Sequence, residues 1–461
     1  MNCLNRIYSP QLDLIHSGKV RESYRVDSQT RMIVVTDRIS SFDKVLDSAV
    51  PYKGAVLNGI SNYWFEQTRT IIDNHLVKMI DPNINLVKEA VPIRIEMIVR
   101  GYLTGSMWRG YQKGKRSFSG VDVPDGLQQN DRFSTPIVTP TTKEDSDREI
   151  SPADIVKEGW TTKTLYDKME KVSMQLFEFG TKYLEKLGII LVDSKYEFGL
   201  LNDELILIDE IHTPDSSRFW SLADYQKNPA RVDSIDKEFV RQWLLENKED
   251  GKIKQKLPDE IVQETSRRYR EIYQKIVGEE LILDEKEEIN NRVYKNLFSA
   301  ELIKDGYVII IMGSPADLEH CQKIKSHLEK YDVYVDMRVC SAHKNGERLP
   351  DITEVYNRSV EPGVVIAVAG RSNGLGGALA ANLAIPLINC PPFKDKIDMM
   401  VNINSSLMMP SKTPASTIVD ISSAALAALR SLNLQRLKEV FRKEIADVKQ
   451  GLLEADSEIR N

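Results

Sequence analysis

Three residues with chemically active side chains alternate along one apolar segment, GIILVDSKYEFG: Asp193, Lys195 and Glu197. Alternate residues of a β-strand point to the same face, so these three side chains are expected to share one. The next apolar run, LILIDE, contains Asp209, and a hairpin centred on Asp203 would place Glu197 directly opposite it. Facing carboxylates repel unless a cation lies between them, and Mg²⁺ prefers such oxygen ligands. The pattern predicts a metal pair, Glu197 and Asp209; the alternative is a charged, solvent-exposed hairpin face.

A second group of segments combines cations, hydroxyls and glycine in ways that suit phosphate binding. In GKVR at 18–21, the glycine lets backbone amides approach phosphate oxygens and Lys19 supplies a mobile positive charge. The turn TPDSSR at 213–218 offers two hydroxyls and a guanidinium. Arg100 and Ser106 in VRGYLTGS could supply the same kind of contact. The alternatives are an ordinary hairpin turn, a hydroxyl-rich turn and a salt bridge at a strand end.

Three loops of the second half carry glycine or titratable residues: GSPAD at 313–317, SAHK at 341–344 and GRSNGLGG at 370–377. Each follows an apolar run of strand length, so parallel strands would bring the loops to one crevice. His343 could move protons in either direction near neutral pH, although a lone histidine is more often structural. The first loop opens a helix, where backbone amides favour an anion. The glycine loop lacks the acid, about 20 residues further on, that accompanies a dinucleotide site.

The strands and helices predicted in the first half of the chain do not alternate regularly. Strand-like runs occur at Arg31–Thr36, Arg94–Arg100, Ile189–Phe198 and Leu205–Ile211, around a helical pattern at Leu165–Leu187. Runs of strands beside helices are typical of an α+β domain. We predict α+β architecture with largely antiparallel sheets.

The second half alternates regularly. Apolar strands at Val308–Met312, Val333–Val339, Val364–Ala369 and Ile385–Asn389 are separated by helical segments, and Ala415–Leu432 has the pattern of a long helix. This alternation predicts a doubly wound α/β domain with a parallel sheet. The chain as a whole is therefore expected to be α/β.

Charge dominates the stretch between the halves. Residues 233–274 show a strongly charged helical pattern, and GEELILDEKEEINN begins at Gly278. Such a run is usually a linker or a solvated helix face. We predict domains at 1–278 and 306–461, joined by a charged helical linker at 279–305.

Composition excludes several classes of function. The 461 residues include 62 basic and 68 acidic side chains, a net charge of −6, and no basic patch suited to nucleic acid. The longest apolar runs are of strand length, far below the ~20 residues that span a bilayer, and the N-terminus lacks a signal-peptide pattern. The four cysteines have no CxxC spacing, which argues against a disulfide framework or a zinc site. We predict a cytoplasmic protein without nucleic-acid or membrane partners.

Seven ordered motifs give residues 5–278 a family resemblance: GKVRESY, TDRISSFD, PYKGAVLN, VRGYLTGS, TPTTK, GIILVDSKYEFG and DEIHTPDSSRFW. The segment resembles phosphoribosylaminoimidazole-succinocarboxamide synthase (SAICAR synthetase). That family condenses carboxyaminoimidazole ribonucleotide with aspartate, driven by ATP, through an acyl phosphate. The resemblance implies an α+β ATP-binding domain that uses ATP and Mg²⁺.

The same resemblance implies roles for individual residues. Asp193 and Lys195 would be catalytic, and Glu197 and Asp209 would bind the metal. Those expected to bind ATP are Lys19, Arg21, Lys88, Lys195, Glu197 and Asp209, with adenine against the backbone near 88–90. Those expected to bind the other substrates are Asp37, Ser40, Arg100, Ser106, Lys143, Asp147 and Arg218.

One position departs from that family. The stretch TTKEDSDREIS has Ser146 where the family usually has a histidine. A role for that histidine in holding aspartate therefore does not transfer. Asp147 remains the candidate partner of the aspartate amino group.

The segment 307–432 resembles phosphoribosylaminoimidazole carboxylase (AIR carboxylase), and its SAHK and AGRSNGLGG motifs are similar to those of the class that uses carbon dioxide directly. The resemblance implies that His343 shuttles the proton at C4 of the imidazole. Lys344 and Ser372 would lie at the carbon dioxide pocket. The residues expected to bind the ribonucleotide are Ser314, Asp317, Arg338 and Gly374. Ala316 replaces the second serine of the usual GSxSD motif.

The two resemblances predict one bifunctional enzyme of purine biosynthesis. Aminoimidazole is an enamine-like carbon nucleophile, so carboxylation needs neither biotin nor ATP. The family resemblance also implies a homo-oligomer formed through the second domain. Two alternatives stay open: the second domain could be an N-carboxyaminoimidazole ribonucleotide mutase, or a non-catalytic nucleotide-sensing scaffold.

Overall fold

The chain folds into two compact units. The computed structural model describes residues 2–42, 44–144, 147–230, 232, 238–249, 251–370 and 374–460. The first unit comprises Met1–Arg6 and Leu14–Ile289, and the second comprises Ile7–Asp13 and Asn290–Asn461. The sequence did not indicate that a segment near the N-terminus belongs with the second unit. The functional domain limits at 278 and 306 stay predictions.

The first unit combines many short strands with fewer helices. Its strands are β1 (Asp13–Ser17), β2 (Arg21–Arg25), β3 (Thr30–Val35), β4 (Arg38–Ser41), β5 (Lys44–Ala49), β6 (Leu76–Asp81), β7 (Ile84–Lys88), β8 (Val91–Tyr102), β9 (Ser117–Phe118), β10 (Val121–Asp122), β11 (Arg132–Val138), β12 (Thr141–Thr142), β13 (Ile189–Leu201), β14 (Glu204–Ile208) and β15 (Ser217–Ser221). Its helices are α1 (Lys53–Gln67), α2 (Gly105–Gln112), α3 (Pro152–Lys157), α4 (Lys163–Glu185), α5 (Leu222–Lys227), α6 (Glu238–Glu246) and α7 (Asp259–Val277).

Two larger sheets organise this unit. One has the order β1-β2-β3-β7-β6, and the other has the order β11-β8-β13-β14, with β12 on β8 and β15 on β13. Every pairing made by β8 and β13 is antiparallel. Helix α4 packs on β13 and β8, and its apolar residues join theirs in one core cluster. The α+β prediction is confirmed.

The hairpin register differs by one residue from the predicted one. The turn is two residues long, Asn202 and Asp203 with φ of 51° and 64°, a conformation typical of tight hairpins. Glu197 is therefore opposite Ile208, and the predicted Glu197–Asp209 cross-strand pair is wrong. Asp209 lies just beyond β14 and has a φ of 66°. The direction of its side chain is therefore set by a bend in the backbone and not by the alternation along a paired strand.

The second unit alternates strands and helices. Its strands are β16 (Tyr307–Met312), β17 (Tyr334–Val339), β18 (Gly363–Val368), β19 (Leu387–Asn389) and β20 (Ser416–Thr417). Its helices are α8 (Ile289–Ser299), α9 (Leu318–Leu328), α10 (Leu349–Asn357), α11 (Gly374–Ala380), α12 (Lys396–Asn402), α13 (Asn404–Leu407), α14 (Ile421–Ser431) and α15 (Gln435–Arg460). Short 3₁₀ turns occur at Pro315–Asp317, Glu329–Tyr331 and Gly346–Arg348.

The five strands form one parallel sheet in the order β17-β16-β18-β19-β20. Val308 and Ile310 of β16 pack into a core with α9, α14 and α15. Tyr307, Ile309 and Ile311 enter a separate core with α10 and α11. Alternate residues of one strand thus feed cores on both faces, so the doubly wound prediction is confirmed.

Two element boundaries were wrong. The long helix expected at Ala415–Leu432 is instead strand β20 followed by α14, because the Asp420 side chain accepts a hydrogen bond from the Ser423 amide and caps the helix there. The charged pattern at 233–274 is interrupted after α6, and α7 begins only after Pro258. Within the described residues, no helix is both long and apolar enough to cross a membrane.

Candidate active sites

A buried lysine–carboxylate cluster lies where β8 and β13 pair. The register places Glu197 opposite Glu96, and Lys195 Nζ lies 2.8 Å from Glu96 Oε1 and 2.7 Å from Glu197 Oε1. Lys143 also donates a hydrogen bond to Glu197. Sequence reasoning missed Glu96, although its alternation with Arg100 along β8 was a usable signal. The cluster offers a cation held between two carboxylates.

Charge pairing sets the ionisation of this cluster. Burial opposes the charge on Glu197, yet Lys195 and Lys143 hold its pKa below the usual range. Burial also opposes the charge on Lys195, but Glu197, Asp209 and Glu96 raise its pKa well above the usual value. Burial raises the pKa of Glu96 despite Lys195. Lys195 therefore stays protonated, and its side chain keeps 29% of its surface exposed.

Asp209 lies beside Arg21 and not in the ladder with Glu197. Arg21 pairs with Asp209 and places Nη2 2.6 Å from Glu210 Oε2. Burial lowers the pKa of Arg21, but those two carboxylates, with Asp215 and Glu197, raise it overall.

Glu197 and Asp209 both interact electrostatically with Lys195 and Arg21. Both carboxylates contribute to the raised pKa values of Lys195 and Arg21. Two hard carboxylates beside lysine and arginine suit a metal-bound polyphosphate. Among the described residues, no group of three or more metal-ligating side chains forms a closed metal site. This donor set therefore fits Mg²⁺ that brings phosphate ligands with it.

A cluster of two arginines around Asp193 lies two residues before Lys195 on the same strand. Arg218 donates to Asp193, and Arg100 Nη1 lies 3.4 Å from Asp193 Oδ2. Arg100 also donates through Nε to Thr139 Oγ1 at 2.8 Å. Burial lowers the pKa of Arg100. The Asp193 carboxylate opposes this shift, and the positive charge of Arg218 adds to it. One carboxylate shared by two guanidiniums leaves positive charge for an anion.

Glu96 and Lys195 of the lysine cluster line one cavity of about 370 Å³ together with the arginine cluster. It brings together the predicted residues Arg100, Ser106, Asp147, Asp193, Lys195 and Arg218. The lining residues that the sequence did not single out are Glu96, Ile98, Ser194, Pro214 and Arg241. Its volume suits a nucleotide-sized ligand.

The TPDSSR turn is held from behind by a buried ion pair. Lys53 is completely buried and its Nζ lies 2.8 Å from Asp215 Oδ2, while the Tyr269 hydroxyl donates to Asp215 Oδ1 at 2.9 Å. Within the turn, the Ser216 hydroxyl accepts a hydrogen bond from the Thr213 amide at 3.1 Å. The turn is therefore an internally bonded hydroxyl-rich turn that also lines the cavity. Lys53 was missed because a lysine in sequence gives no sign of burial.

Several predicted residues lie elsewhere in the first unit. Asp37 is buried and accepts hydrogen bonds from the Leu4 and Gly54 amides at 2.7 and 2.8 Å. Ser40 is in β4, and Lys88 contacts Asp73 Oδ2 at 2.8 Å. The structure places Lys19 at an exposed turn where the Gly18 amide donates to the Arg21 carbonyl at 2.8 Å. Ser146 lies outside the described residues.

In the second unit, GSPAD follows β16 and SAHK follows β17. The Ser314 hydroxyl accepts a hydrogen bond from the Ala316 amide at 3.2 Å, and burial raises the pKa of Asp317. Arg338 donates to the Tyr356 hydroxyl at 3.4 Å. His343 and Lys344 are exposed.

The SAHK and glycine-rich loops meet at His343. A Cβ added to Gly374 would lie 2.7 Å from Cε1 and 2.8 Å from Nε2 of His343, which is closer than real Cβ contacts. A side chain at residue 374 would therefore displace the His343 imidazole from its place against the backbone. Ser372 lies outside the described residues.

Comparison with known proteins identifies both units. The family model described as SAICAR synthetase matches residues 14–258. The chain belongs to the SAICAR synthetase family. A second family model, AIR carboxylase, matches residues 307–453, so the chain also carries an AIR carboxylase domain.

Named relatives agree for the first unit. Phosphoribosylaminoimidazole-succinocarboxamide synthase of Cytophaga hutchinsonii is 43% identical over 293 residues, covering 62% of this chain and 94% of the relative. The Legionella pneumophila (strain Paris) enzyme of that name is 41% identical, with 61% and 94% coverage. A solved SAICAR synthase from Saccharomyces cerevisiae complexed with SAICAR is 35% identical, with a TM-score of 0.56 over 61% of this chain and 100% of that chain.

These matches establish the class of enzyme. The first unit is an ATP-dependent ligase, and the second is a carboxylase- or mutase-type enzyme. The chain is therefore a bifunctional enzyme of purine biosynthesis.

Proposed function

We propose that the second unit carboxylates aminoimidazole ribonucleotide with carbon dioxide, and that the first unit condenses the product with aspartate to give SAICAR. The pairing of these two families in one chain carries the proposal. The product of an AIR carboxylase is the carboxylate that a SAICAR synthetase must activate. The order of the two reactions follows from that chemistry.

In the first unit, Arg100, Ser106 and Arg218 bind the ribonucleotide phosphate at the arginine end of the cavity. Lys19, Arg21 and Lys195 bind the ATP phosphates. Support comes from the shared cavity and from the lysine that lies between carboxylates within it. Bound phosphate oxygens would compete with the present carboxylate partners for these cations.

The ligation runs through an acyl phosphate. A ribonucleotide carboxylate oxygen attacks the γ-phosphorus of ATP, and the bond to ADP breaks. The aspartate ammonium group loses a proton, and its nitrogen then attacks the carbonyl carbon. Loss of a second proton and departure of phosphate, which takes the electron pair of the C–O bond, complete the amide. Lys195 stabilises charge on the transferred group, Asp193 holds the arginines, and Asp147 receives the ammonium group. Further substrate contacts are assigned to Asp37, Ser40 and Lys143, and an ATP contact to Lys88.

Glu197 and Asp209 would hold Mg²⁺. When bound, the ion neutralises charge on the ATP phosphates. Lys143 and Lys195 keep Glu197 ionised, which is the state a metal ligand needs. The two carboxylates need not face each other in the ladder to share a metal-bound triphosphate.

In the second unit, C4 of the aminoimidazole attacks carbon dioxide, and its proton must then leave. His343 accepts that proton from its place at the carboxyl end of a strand, against Gly374. Lys344 and Ser372 border the carbon dioxide pocket, while Ser314, Asp317, Arg338 and Gly374 bind the ribonucleotide. No biotin and no ATP take part.

A coupled assay with each substrate omitted in turn tests the scheme. Aminoimidazole ribonucleotide and bicarbonate alone should give the carboxylated product, and aspartate with ATP should then give SAICAR. Turnover that requires the carbamate made with ATP would instead establish the mutase alternative. Ligation of supplied carboxylated substrate without any carboxylation would favour the scaffold alternative for the second unit, and no turnover by either unit would contradict the scheme.

Two variants separate the sites. His343→Asn should abolish carboxylation but retain ligation of supplied carboxylated substrate. Glu197→Gln should raise the Mg²⁺ concentration needed for half-maximal ligation about tenfold or more and leave carboxylation intact. Loss of both activities in either variant, or an unchanged Mg²⁺ dependence in Glu197→Gln, contradicts the assignment.

We also propose that the protein forms a homo-oligomer in the cytoplasm. Support comes from α15, on which only Leu437 and Phe441 are buried. Ile445, Val448 and Leu452 form an exposed apolar stripe further along the helix at spacings of three and four residues, the pattern of a helix that packs on another. A second copy of the chain is the proposed partner.

A further inference from the structure

Behind the strand that carries Lys195 and Glu197 lies a completely buried histidine, His212, which the reaction scheme does not use. Its Nε2 is 2.7 Å from the hydroxyl of Tyr196. Tyr196 is also completely buried, and it lies between Lys195 and Glu197 on β13. Because alternate residues point to opposite faces, this contact forms on the back of the catalytic strand.

The imidazole is enclosed on two further sides. Its ring packs edge-on against Trp64, with ring centroids 4.7 Å apart and an interplanar angle of 87°. A Cβ added to Gly180 of α4 would lie 2.8 Å from Nδ1 of His212. The ring therefore occupies a tight slot between α1, α4 and β13, in one fixed orientation.

His212 is held as a neutral ring. Burial lowers its pKa from 6.5 to about 3. Its Nδ1 has no hydrogen-bond partner among the described residues. A hydrocarbon ring would fill the slot without leaving that nitrogen unpaired. The contact with Tyr196 is thus what the imidazole adds beyond packing.

Residues on both sides of His212 contact the ligase site. Upstream, Asp209 and Glu210 bind Arg21. Downstream, the Ser217 hydroxyl donates to Ser194 at 2.9 Å, and Arg218 binds Asp193. His212 itself has a left-handed φ of 49°, so the chain changes direction there.

We propose that His212 is a positioning residue for ligation: Tyr196 anchors it to β13, and it thereby fixes the 209–218 segment against the strand that carries Lys195 and Glu197. This inference rests on the proposed function of that site. A free segment would misplace Arg218, which lines the cavity, together with Asp209, which pairs with Arg21.

The test uses three variants of the full chain. His212→Asn keeps a residue that tolerates positive φ but is too short to reach Tyr196. His212→Gln restores a polar group near the position of Nε2, and Tyr196→Phe removes only the hydroxyl. His212→Asn and Tyr196→Phe should each lower kcat/KM for the carboxylated ribonucleotide about tenfold, mainly through KM, and His212→Gln should recover activity to within about threefold of wild type.

The double variant should lose no more activity than the worse single variant, since both remove one contact. Carboxylation by the same chain checks that the rest of the protein is intact. Tyr63→Phe is the matched control, because it deletes a hydroxyl that lies 2.6 Å from the Tyr183 hydroxyl. It should leave the KM for the carboxylated ribonucleotide in ligation, and the KM for aminoimidazole ribonucleotide in carboxylation, unchanged.

Three outcomes contradict the inference. Unchanged ligation kinetics in Tyr196→Phe would exclude the anchor, even where His212→Asn fails to fold. Additive losses in the double variant would show two independent effects. Equal loss in His212→Gln and His212→Asn would show that a polar group near the position of Nε2 does not restore the function, and that the contact with Tyr196 is not what matters. Failure of the wild-type chain to make SAICAR would instead overturn the proposed function.

Discussion

Buried charges in the first unit are satisfied in groups and not in isolated pairs. Lys195 lies between Glu96 and Glu197, and Arg100 and Arg218 share Asp193. A buried charge is costly unless partners and hydrogen bonds surround it. The lysine cluster and the arginine cluster therefore each hold their side chains in place, and a charged ligand must compete with these ion pairs when it binds.

Lys53 provides a prediction about stability. Lys53→Met should destabilise the first unit by about 3 kcal/mol, because the largely buried Asp215 carboxylate loses the ammonium group that lies 2.8 Å from it. Urea unfolding followed by tryptophan fluorescence measures this, since all five tryptophans lie between residues 64 and 243. The double variant Lys53→Met/Asp215→Asn should be more stable than Lys53→Met; a less stable double variant would contradict the pair.

Buried histidines predict how stability depends on pH. The pKa values of His75 and His212 fall from 6.5 to about 3 through burial, so the folded state stays neutral where the unfolded state takes up protons. Each histidine contributes fully to the free energy of unfolding above pH 6.5. That contribution falls as the pH drops towards 3, by up to about 1.4 kcal/mol per pH unit.

Unfolding free energies at pH 7, 6 and 5 test this for wild type and His212→Gln. The difference between pH 7 and 5 should be smaller in the variant, because one protonation site of the unfolded state is removed. Equal pH dependence in both proteins would show that His212 is not neutral in the folded state. Carboxylates that titrate in the same pH range are present in both proteins, so the difference between the two pH dependences reports on His212 alone.

Strands β8 and β13 are the elements that create the ligase site. Their antiparallel register brings Glu96, Arg100 and the β13 residues Asp193, Lys195 and Glu197 to neighbouring positions. The alternation along β13 was readable from the sequence. Its partner strand was not, because pairing between residues 93 to 109 positions apart depends on sheet order.

The glycine-rich loop of the second unit gives a prediction at the same scale. Gly374→Ala should lower carboxylation at least tenfold, since the added methyl would displace the His343 imidazole. Gly377→Ala is the matched control, because its Cβ would meet only the Met409 sulfur at 3.8 Å. Ligation should be unchanged in both. Equal carboxylation in the two alanine variants would contradict the proposed contact.

The whole chain carries two catalytic units with separate cores. Each unit buries its own apolar cluster, and each family match falls within one unit. The segment Ile7–Asp13 belongs to the second unit: the Val360 amide donates to the Tyr8 carbonyl at 3.0 Å. A second-domain fragment that starts at 306 would lack these contacts.

Helix α15 predicts the behaviour of the assembled protein. Val448→Lys/Leu452→Lys should reduce the oligomer mass in sedimentation velocity, because charge would be buried at the interface between copies. Gln450→Lys/Glu454→Lys adds two lysines to positions outside the stripe and should leave the mass unchanged. A monomeric wild type, or an unchanged mass in the stripe variant, would contradict the proposed interface.

The sequence by itself determined the fold classes, the two families and most residues of the cavity, because periodicity and ordered motifs are local signals. Tertiary structure decided which charges meet: Glu96 with Lys195, Lys53 with Asp215 and Tyr196 with His212. It also shifted the hairpin register by one residue and moved Asp209 out of the ladder. These contacts join distant segments, and a one-residue change of register or a single left-handed φ redirects a side chain.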